Sequence, residues 1–294
     1  MILMFMGRIV EARETLERAA QLFSEIDEAG RSAARTVGQD AGVSILVFMA
    51  WVLWLLGQVD EAVSRMTAAL ERADVVRHAH TSAYAWYYAS VLYALRGEPA
   101  IAQSYAERCL VISERHGFHH WFGLSRAIRG ICAALLDASA GRVDEVKTSL
   151  EEYQRAGYRL GLTAQFVLLC PVLLLRNEPD AALELIDHGL SIVSHNSERF
   201  FEAELYRLKA SALLMRGASD NDAESFLEQA LRTARSQQAR SLELRAATDL
   251  ARLFMNQDKR TQALDVLSSI YARFCEGFDT RDLKDAKTVL DQLQ

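Results

Sequence analysis

Apolar positions along the chain recur with the three-to-four spacing of helices, and that spacing sits inside a longer pattern that repeats about every 40 residues. Each unit begins with a turn residue, and a small residue follows five or six positions later. The instances are Gly7 with Ala12, Gly57 with Ala62, Gly97 with Ala102, Gly141 with Val146, Asn177 with Ala182, Gly217 with Ala223, and Asp258 with Ala263. Successive turn positions lie 50, 40, 44, 36, 40 and 41 residues apart. Four and seven positions beyond each small residue come further packing positions, such as Met66 and Ala69, Ala106 and Cys109, Leu150 and Tyr153, and Leu267 and Ile270.

The spacing has a direct physical reading. Glycine or asparagine ends one helix because it tolerates a left-handed backbone. Acidic residues or proline then open the next, where the helix dipole favours negative charge and a missing N–H costs little. Pro99 and Pro179 stand at such first-turn positions. The small residue marks the place where two helices cross closely. First helices are expected at about 40–56, 79–96, 120–138, 160–176, 198–216 and 239–256. Second helices are expected at about 8–29, 58–75, 98–115, 142–156, 178–195, 220–236 and 259–275. Asp279 reads as the N-cap of a closing helix over 279–293, whose apolar face would cover the end of the array. The pattern predicts an all-α fold: a tetratricopeptide-like right-handed superhelix of about seven helix pairs plus a C-terminal capping helix. It would form a single domain over 1–294, with units longer than the roughly 34 residues of the usual repeat. The first helix would be only Met1 to Met6. An incomplete first repeat implies an open apolar end and a route to a homo-oligomer.

Composition narrows the function classes. Half of the residues are hydrophobic, only three are proline, and the net charge is −6. Mixed charge of both signs argues against a nucleic-acid footprint. The run from Val43 to Leu56 is too short to span a bilayer, and the apolar start is too short for a signal-peptide core, so a cytoplasmic protein with no membrane contact is expected. Cys109, Cys132, Cys170 and Cys275 are far apart and lie in apolar helical stretches, which predicts buried free thiols. His116, His119 and His120 fall within five residues, and His78 and His80 stand at the preceding inter-repeat turn. Without a fourth ligand or an acidic cluster they read as inter-repeat turns with His120 or Trp121 packing, not as a metal site. No nucleophile, acid–base pair or phosphate loop of the G-x-x-x-x-G-K-[ST] type stands out, so no catalytic residue, cofactor or metal is assigned.

Two segments carry a resemblance beyond the repeat. Glu198-Arg-Phe-Phe-Glu-Ala-Glu-Leu-Tyr-Arg-Leu-Lys209 is one, and Ser241 to Leu253, continuing to Gly277-Phe-Asp-Thr-Arg-Asp-Leu-Lys-Asp-Ala-Lys287, is the other. They resemble the C-terminal tetratricopeptide region of bacterial signalling proteins that join a class III adenylate/guanylate cyclase domain to a STAND-type ATPase. Gly38-Gln-Asp-Ala-Gly42 fits the same family, with alanine where proline is expected. The chain has neither the cyclase domain nor the ATPase phosphate loop. The resemblance therefore implies a sensor or scaffold part of such a protein, with no enzymatic activity of its own.

In a superhelix of this kind the first helix of each pair lines the concave face. The register puts Ser44, Trp51, Trp54, Tyr84 and Tyr87 on that face in the first half, and Glu204, Arg207, Arg245 and Arg252 in the last third. Pro171, which is expected to kink its helix, and Ser211 fall on it between them. An apolar, aromatic stretch running into a charged one suits a protein or peptide partner. The lysine and asparagine pattern that clamps a C-terminal carboxylate is absent. The alternative reading is a small-molecule, inducer-sensing repeat domain of STAND transcription-regulator type, with a pocket near Trp51, Tyr84 and Tyr87.

Overall fold

The computed structural model describes residues 1–27, 30, 38–137, 143–158 and 160–293. Fifteen helices and no strand lie among them. The short α1 (Ile2–Phe5) precedes α2 (Ile9–Glu25). The pairs that follow are α3 (Ala41–Leu55) with α4 (Val59–Val76), α5 (Ala79–Leu95) with α6 (Pro99–His116), and α7 (His119–Leu136) with α8 (Val143–Arg155). Then come α9 (Leu162–Leu175) with α10 (Pro179–Asn196), α11 (Glu202–Met215) with α12 (Asp220–Gln237), and α13 (Arg240–Asn256) with α14 (Arg260–Tyr271). A last helix, α15 (Arg281–Leu293), packs on both α13 and α14, as a cap must. This is the tetratricopeptide-like arrangement of seven helix pairs.

The turn chemistry is where the sequence pattern places it. Gly7, Gly57, Gly97, Asn177, Gly217 and Asp258 all have positive φ, so each closes a first helix in the left-handed region. Gly141 lies outside the described residues. The small residues Ala12, Ala62, Ala102, Val146, Ala182, Ala223 and Ala263 are all buried. Opposite Val146, a Cβ added to Gly130 would come within 2.5 Å of its Cγ2, so the crossing of α7 and α8 leaves no room for a side chain at Gly130. Pro171 lies inside α9, which runs on to Leu175.

The chain divides into two compact units. One comprises Glu11–Leu53 and Glu61–Gln165. Within it α5 packs on α6, α6 on α7 and α7 on α8, and the first helices α5 and α7 also meet directly. The start of α3 is set by Asp40, whose carboxylate accepts from the Val43 N–H at 2.9 Å and from Arg72 Nε at 2.6 Å. Gly42 leaves room for that guanidinium, since a Cβ there would sit 2.4 Å from Arg72 Nε.

The other unit comprises Met1–Val10, Trp54–Asp60 and Phe166–Gln294. Here α10 packs on α11, α11 on α12, α12 on α13 and α13 on α14, with α11 also touching α13. The two N-terminal pieces are built into this packing. The Phe5 carbonyl accepts from the N–H groups of Arg199 and Phe200, and the rings of Phe5 and Phe200 meet edge-on at 4.8 Å. Ser241 Oγ donates to the Trp54 carbonyl. The Gly277 N–H donates to Asp60 Oδ2 at 3.0 Å, and the Asp60 N–H donates to Glu276 Oε1 at 3.1 Å.

At the N-terminal repeat Met4, Phe5 and Ile9 are buried, while Met1, Ile2 and Met6 are exposed. Two expectations need correction. Cys109, Cys132 and Cys170 are buried, but Cys275 is exposed, because α14 stops at Tyr271 instead of reaching 275. The closing helix starts at Arg281, and Thr280 precedes it: its carbonyl accepts from the Lys284 N–H, which puts Thr280 in the cap position read for Asp279.

The seating of Val59 and Asp60 on Gly277 is open to a direct test. Gly277 has φ +74° and a Cβ there would meet Val59 Cγ2 at 1.8 Å, while Gly117 has φ +69° and open space around it. Gly117→Ala should cost about 1–2 kcal/mol for the left-handed backbone alone. Gly277→Ala adds an overpacking cost of roughly 1–3 kcal/mol, so its melting temperature should fall clearly further. Equal losses in thermal unfolding would mean that the contact is not made in solution.

Candidate functional site

The first-helix residues singled out by the register do not share one environment. In the unit of Glu11–Leu53 and Glu61–Gln165 they form a closed cluster of rings. Trp51, Tyr84 and Tyr87 are each 3% exposed. Trp51 donates from Nε1 to the Tyr88 carbonyl at 3.2 Å and meets the Tyr88 ring edge-on at 5.4 Å. Tyr84 lies 5.7 Å from the Trp121 ring and 4.8 Å from Tyr88. Tyr87 lies 5.4 Å from Trp121, and its hydroxyl accepts from Gln165 Nε2 at 3.0 Å. Offset and edge-on contacts of this kind add about 0.5–1.5 kcal/mol per pair beyond burial. Burial also pushes the Tyr84 phenol pKa well up. Ser44 is half-buried, and its hydroxyl donates to the Asp40 carbonyl. These residues hold first helix to first helix, and Trp121, at the start of α7, is the ring they converge on.

In the other unit the register residues come together as a ladder of charges. Glu204 of α11 is buried and accepts from Arg207 Nε and Nη2 at 2.9 and 2.8 Å and from Arg245 Nη1 at 3.1 Å. Arg207 reaches on to Asp249, Arg245 donates from Nε to Asp282 Oδ2 at 2.8 Å, and Arg252 bonds the other Asp249 oxygen at 3.1 Å. The ladder thus crosses α11, α13 and α15. Trp54 closes one side: it is 2% exposed, its ring is 6.5 Å from Phe201, and the Arg245 guanidinium lies 5.2 Å from its centroid. Burial alone would raise the Glu204 pKa. Arg207 and Arg245 outweigh that and hold it at about 2.

Beyond the buried part of the ladder, accessible side chains also lie on the first helices α9, α11 and α13. Arg252 is 46% exposed at its side chain. Pro171, Leu174 and Ser211 are half-buried, and Leu175, Leu214 and Met215 are exposed. On α11 the spacing of Arg207, Ser211 and Leu214 puts the three on one helical face. The apolar members at the ends of α9 and α11, and the partner Asp249, were not singled out in the sequence. Their signal was present only as the helical spacing from residues that were.

Among the described residues no group of three or more His, Cys, Asp or Glu side chains could hold a metal ion, and no helix is long and apolar enough to cross a membrane. No family model and no curated protein matches the chain. Among solved structures it is similar to yeast Tom70, with a TM-score of 0.51 at 14% identity over 96% of this chain. The chain spans 59% of that protein's length, and the likeness is one of fold. The TPR2AB domain of yeast Sti1, solved in complex with pHSP90, aligns at 14% identity over 98% of this chain and 96% of its own, with a TM-score of only 0.34.

Glu204 makes the ladder's stability depend on acid. Its carboxyl pKa is lowered from 4.5 to about 2, so the stability it contributes is fully present above pH 4.5 and is lost as pH falls towards 2. Glu204→Gln removes the carboxylate that Arg207 and Arg245 share, leaving each with one carboxylate partner, and should cost about 1.5–3 kcal/mol at neutral pH. In denaturant titrations between pH 5 and 2 the variant should also lose that part of the wild-type slope. An unchanged slope would mean that Glu204 is not the group paired with the two arginines.

Proposed function

We propose that this chain is a non-catalytic protein-interaction module that binds a segment of a partner along the first helices α9, α11 and α13. The observation that carries the reading is that accessible side chains lie on all three helices, apolar at Pro171, Leu175 and Leu214 and charged at Arg252; in the proposal they form one strip. Its charged edge is pre-organised, because Asp249 accepts from both Arg207 and Arg252 and fixes their rotamers before any partner arrives. An amphipathic helix or extended peptide, with an apolar edge and an acidic or amide-bearing one, has the chemistry to match. The tetratricopeptide-like fold supports the reading, since it sets the first helices of successive pairs side by side.

The ring cluster of Trp51, Tyr84 and Tyr87 favours interaction over small-molecule sensing, because those rings are spent on one another. A bacterial signalling or regulatory setting, as a part of a cyclase–ATPase protein or beside one, follows the resemblance of residues 198–209 and 241–287. A cyclase or ATPase reading frame adjacent to the gene would support that setting.

Variants for testing the strip should be taken from its exposed members, since Trp54 and Arg207 are built into the packing. Arg252→Glu and Leu175→Glu, separately and together, should leave the melting temperature within about 2 °C, in line with surface substitutions that change stability by under about 0.5 kcal/mol. Both should weaken partner capture in a quantitative crosslinking pull-down, the pair by tenfold or more. Full retention of every wild-type partner by the double variant would remove this strip as the binding surface.

A further inference from the structure

The ring cluster contains two imidazoles, and the hydrogen bond of one of them, His80, holds only while that ring is uncharged. Trp121 Nε1 can only donate, and it donates to His80 Nε2 at 3.0 Å. That bond needs the lone pair on Nε2, so it fixes His80 as neutral with no proton there. On the other side of the indole, the His120 ring lies 4.4 Å from Trp121, 5.3 Å from Tyr153 and 4.8 Å from Tyr158. Its Nδ1 stands 3.4 Å from the Tyr153 hydroxyl, which donates to the Leu160 carbonyl at 3.0 Å. Tyr153 and Tyr158 are stacked at 5.0 Å. One indole, two imidazoles and two phenols thereby tie the start of α5, the start of α7, the end of α8, Tyr158 and the Leu160 carbonyl.

We propose that this His80–Trp121–His120 cluster is a proton-sensitive clasp, closed while both imidazoles are neutral and released when they are protonated. A proton on His80 Nε2 would set two N–H groups against each other and break the bond to Trp121. His120 is the second residue of α7, where the positive end of the helix dipole opposes a cation.

The charged and titratable groups around the cluster offer little to stabilise imidazolium. His78 lies 6.5 Å from His80, and His116 stacks on Phe118, which meets the His80 ring. Glu152, next to Tyr153, is held by Arg126. Asp40, whose N–H donates to Thr81 beside His78, spends its carboxylate on Arg72 and the Val43 N–H. The Gly38 carbonyl alone works in the other direction on His80. Burial lowers the pKa of both rings, and their mutual repulsion adds to it for His120, which falls from 6.5 to about 4. For a base held down in this way, stability is complete above pH 6.5 and declines as pH falls towards 4.

The test is hydrogen exchange of the intact chain at neutral pH and near pH 4, corrected for intrinsic rates, alongside NMR titration of the histidine ring protons. Wild type should show exchange in segments 78–84, 118–125 and 150–160 rising at least tenfold on acidification and recovering on return to neutral pH. The double variant His80→Gln, His120→Phe keeps an acceptor for Trp121 and a ring against Tyr153, but no titratable group, and it should stay protected. If it opens as wild type does, or if wild type does not open, the clasp is refuted. Should the double variant fail to fold, the wild-type titration decides: both imidazoles must titrate below the ordinary histidine range, together with a change in the Trp121 indole signal. Titration at ordinary values with an unchanged indole would overturn the proposal.

Discussion

The close crossing of the two helices in each pair is the constraint that organises this molecule. Ala62, Ala102, Ala182, Ala223 and Ala263 are buried, and at Gly130 against Val146 the second helix leaves no space for even a methyl group. Interiors packed at this density exclude larger side chains from the crossing. Bulk must therefore go elsewhere, and it goes to the faces where first helix meets first helix. The Trp51, Tyr84, Tyr87 and Trp121 rings in one unit, and the arginine ladder in the other, are two ways of filling the same kind of position.

The two fillings have different energetic character. Rings gain from burial and from edge-on contact, with few geometric demands. The ladder of Glu204, Arg207, Arg245, Asp249 and Asp282 gains little net stability from ion pairing, because each charge has lost its water. What it supplies is orientation: Arg207 and Arg245 are each fixed by two carboxylates. A side chain so held is well placed for recognition at its exposed end, and Arg252, bonded to Asp249, is the member through which that order reaches solvent.

The helices and their turns were legible because their signals are local. A glycine, asparagine or aspartate at each intra-pair turn and an alanine five or six residues later report on backbone geometry within one or two helical turns. The connections between pairs were less legible. Arg77, Ser197 and Gln238 take left-handed conformations there with no glycine to announce them. The role of Trp54 was beyond reach for a different reason. Helical register says which face a side chain is on, and nothing about what lies over that face. A tryptophan awaiting a partner and one covering Arg245 of its own chain have the same spacing. The burial of Phe5 against Phe200 likewise has no local signature, since the two residues are far apart in the chain.

That separation has a consequence for how the molecule is made. Asp60 is paired with Gly277, and the Phe5 carbonyl with the Arg199 and Phe200 N–H groups. Contacts between such distant residues add a loop-closure cost and slow folding. During synthesis the unit of Glu11–Leu53 and Glu61–Gln165 has all its residues by the time Gln165 emerges, whereas the other must wait for nearly the whole chain. Until Arg199, Phe200, Phe201 and Arg245 have been made, Phe5 and Trp54 lack the groups that pack on them in the finished unit.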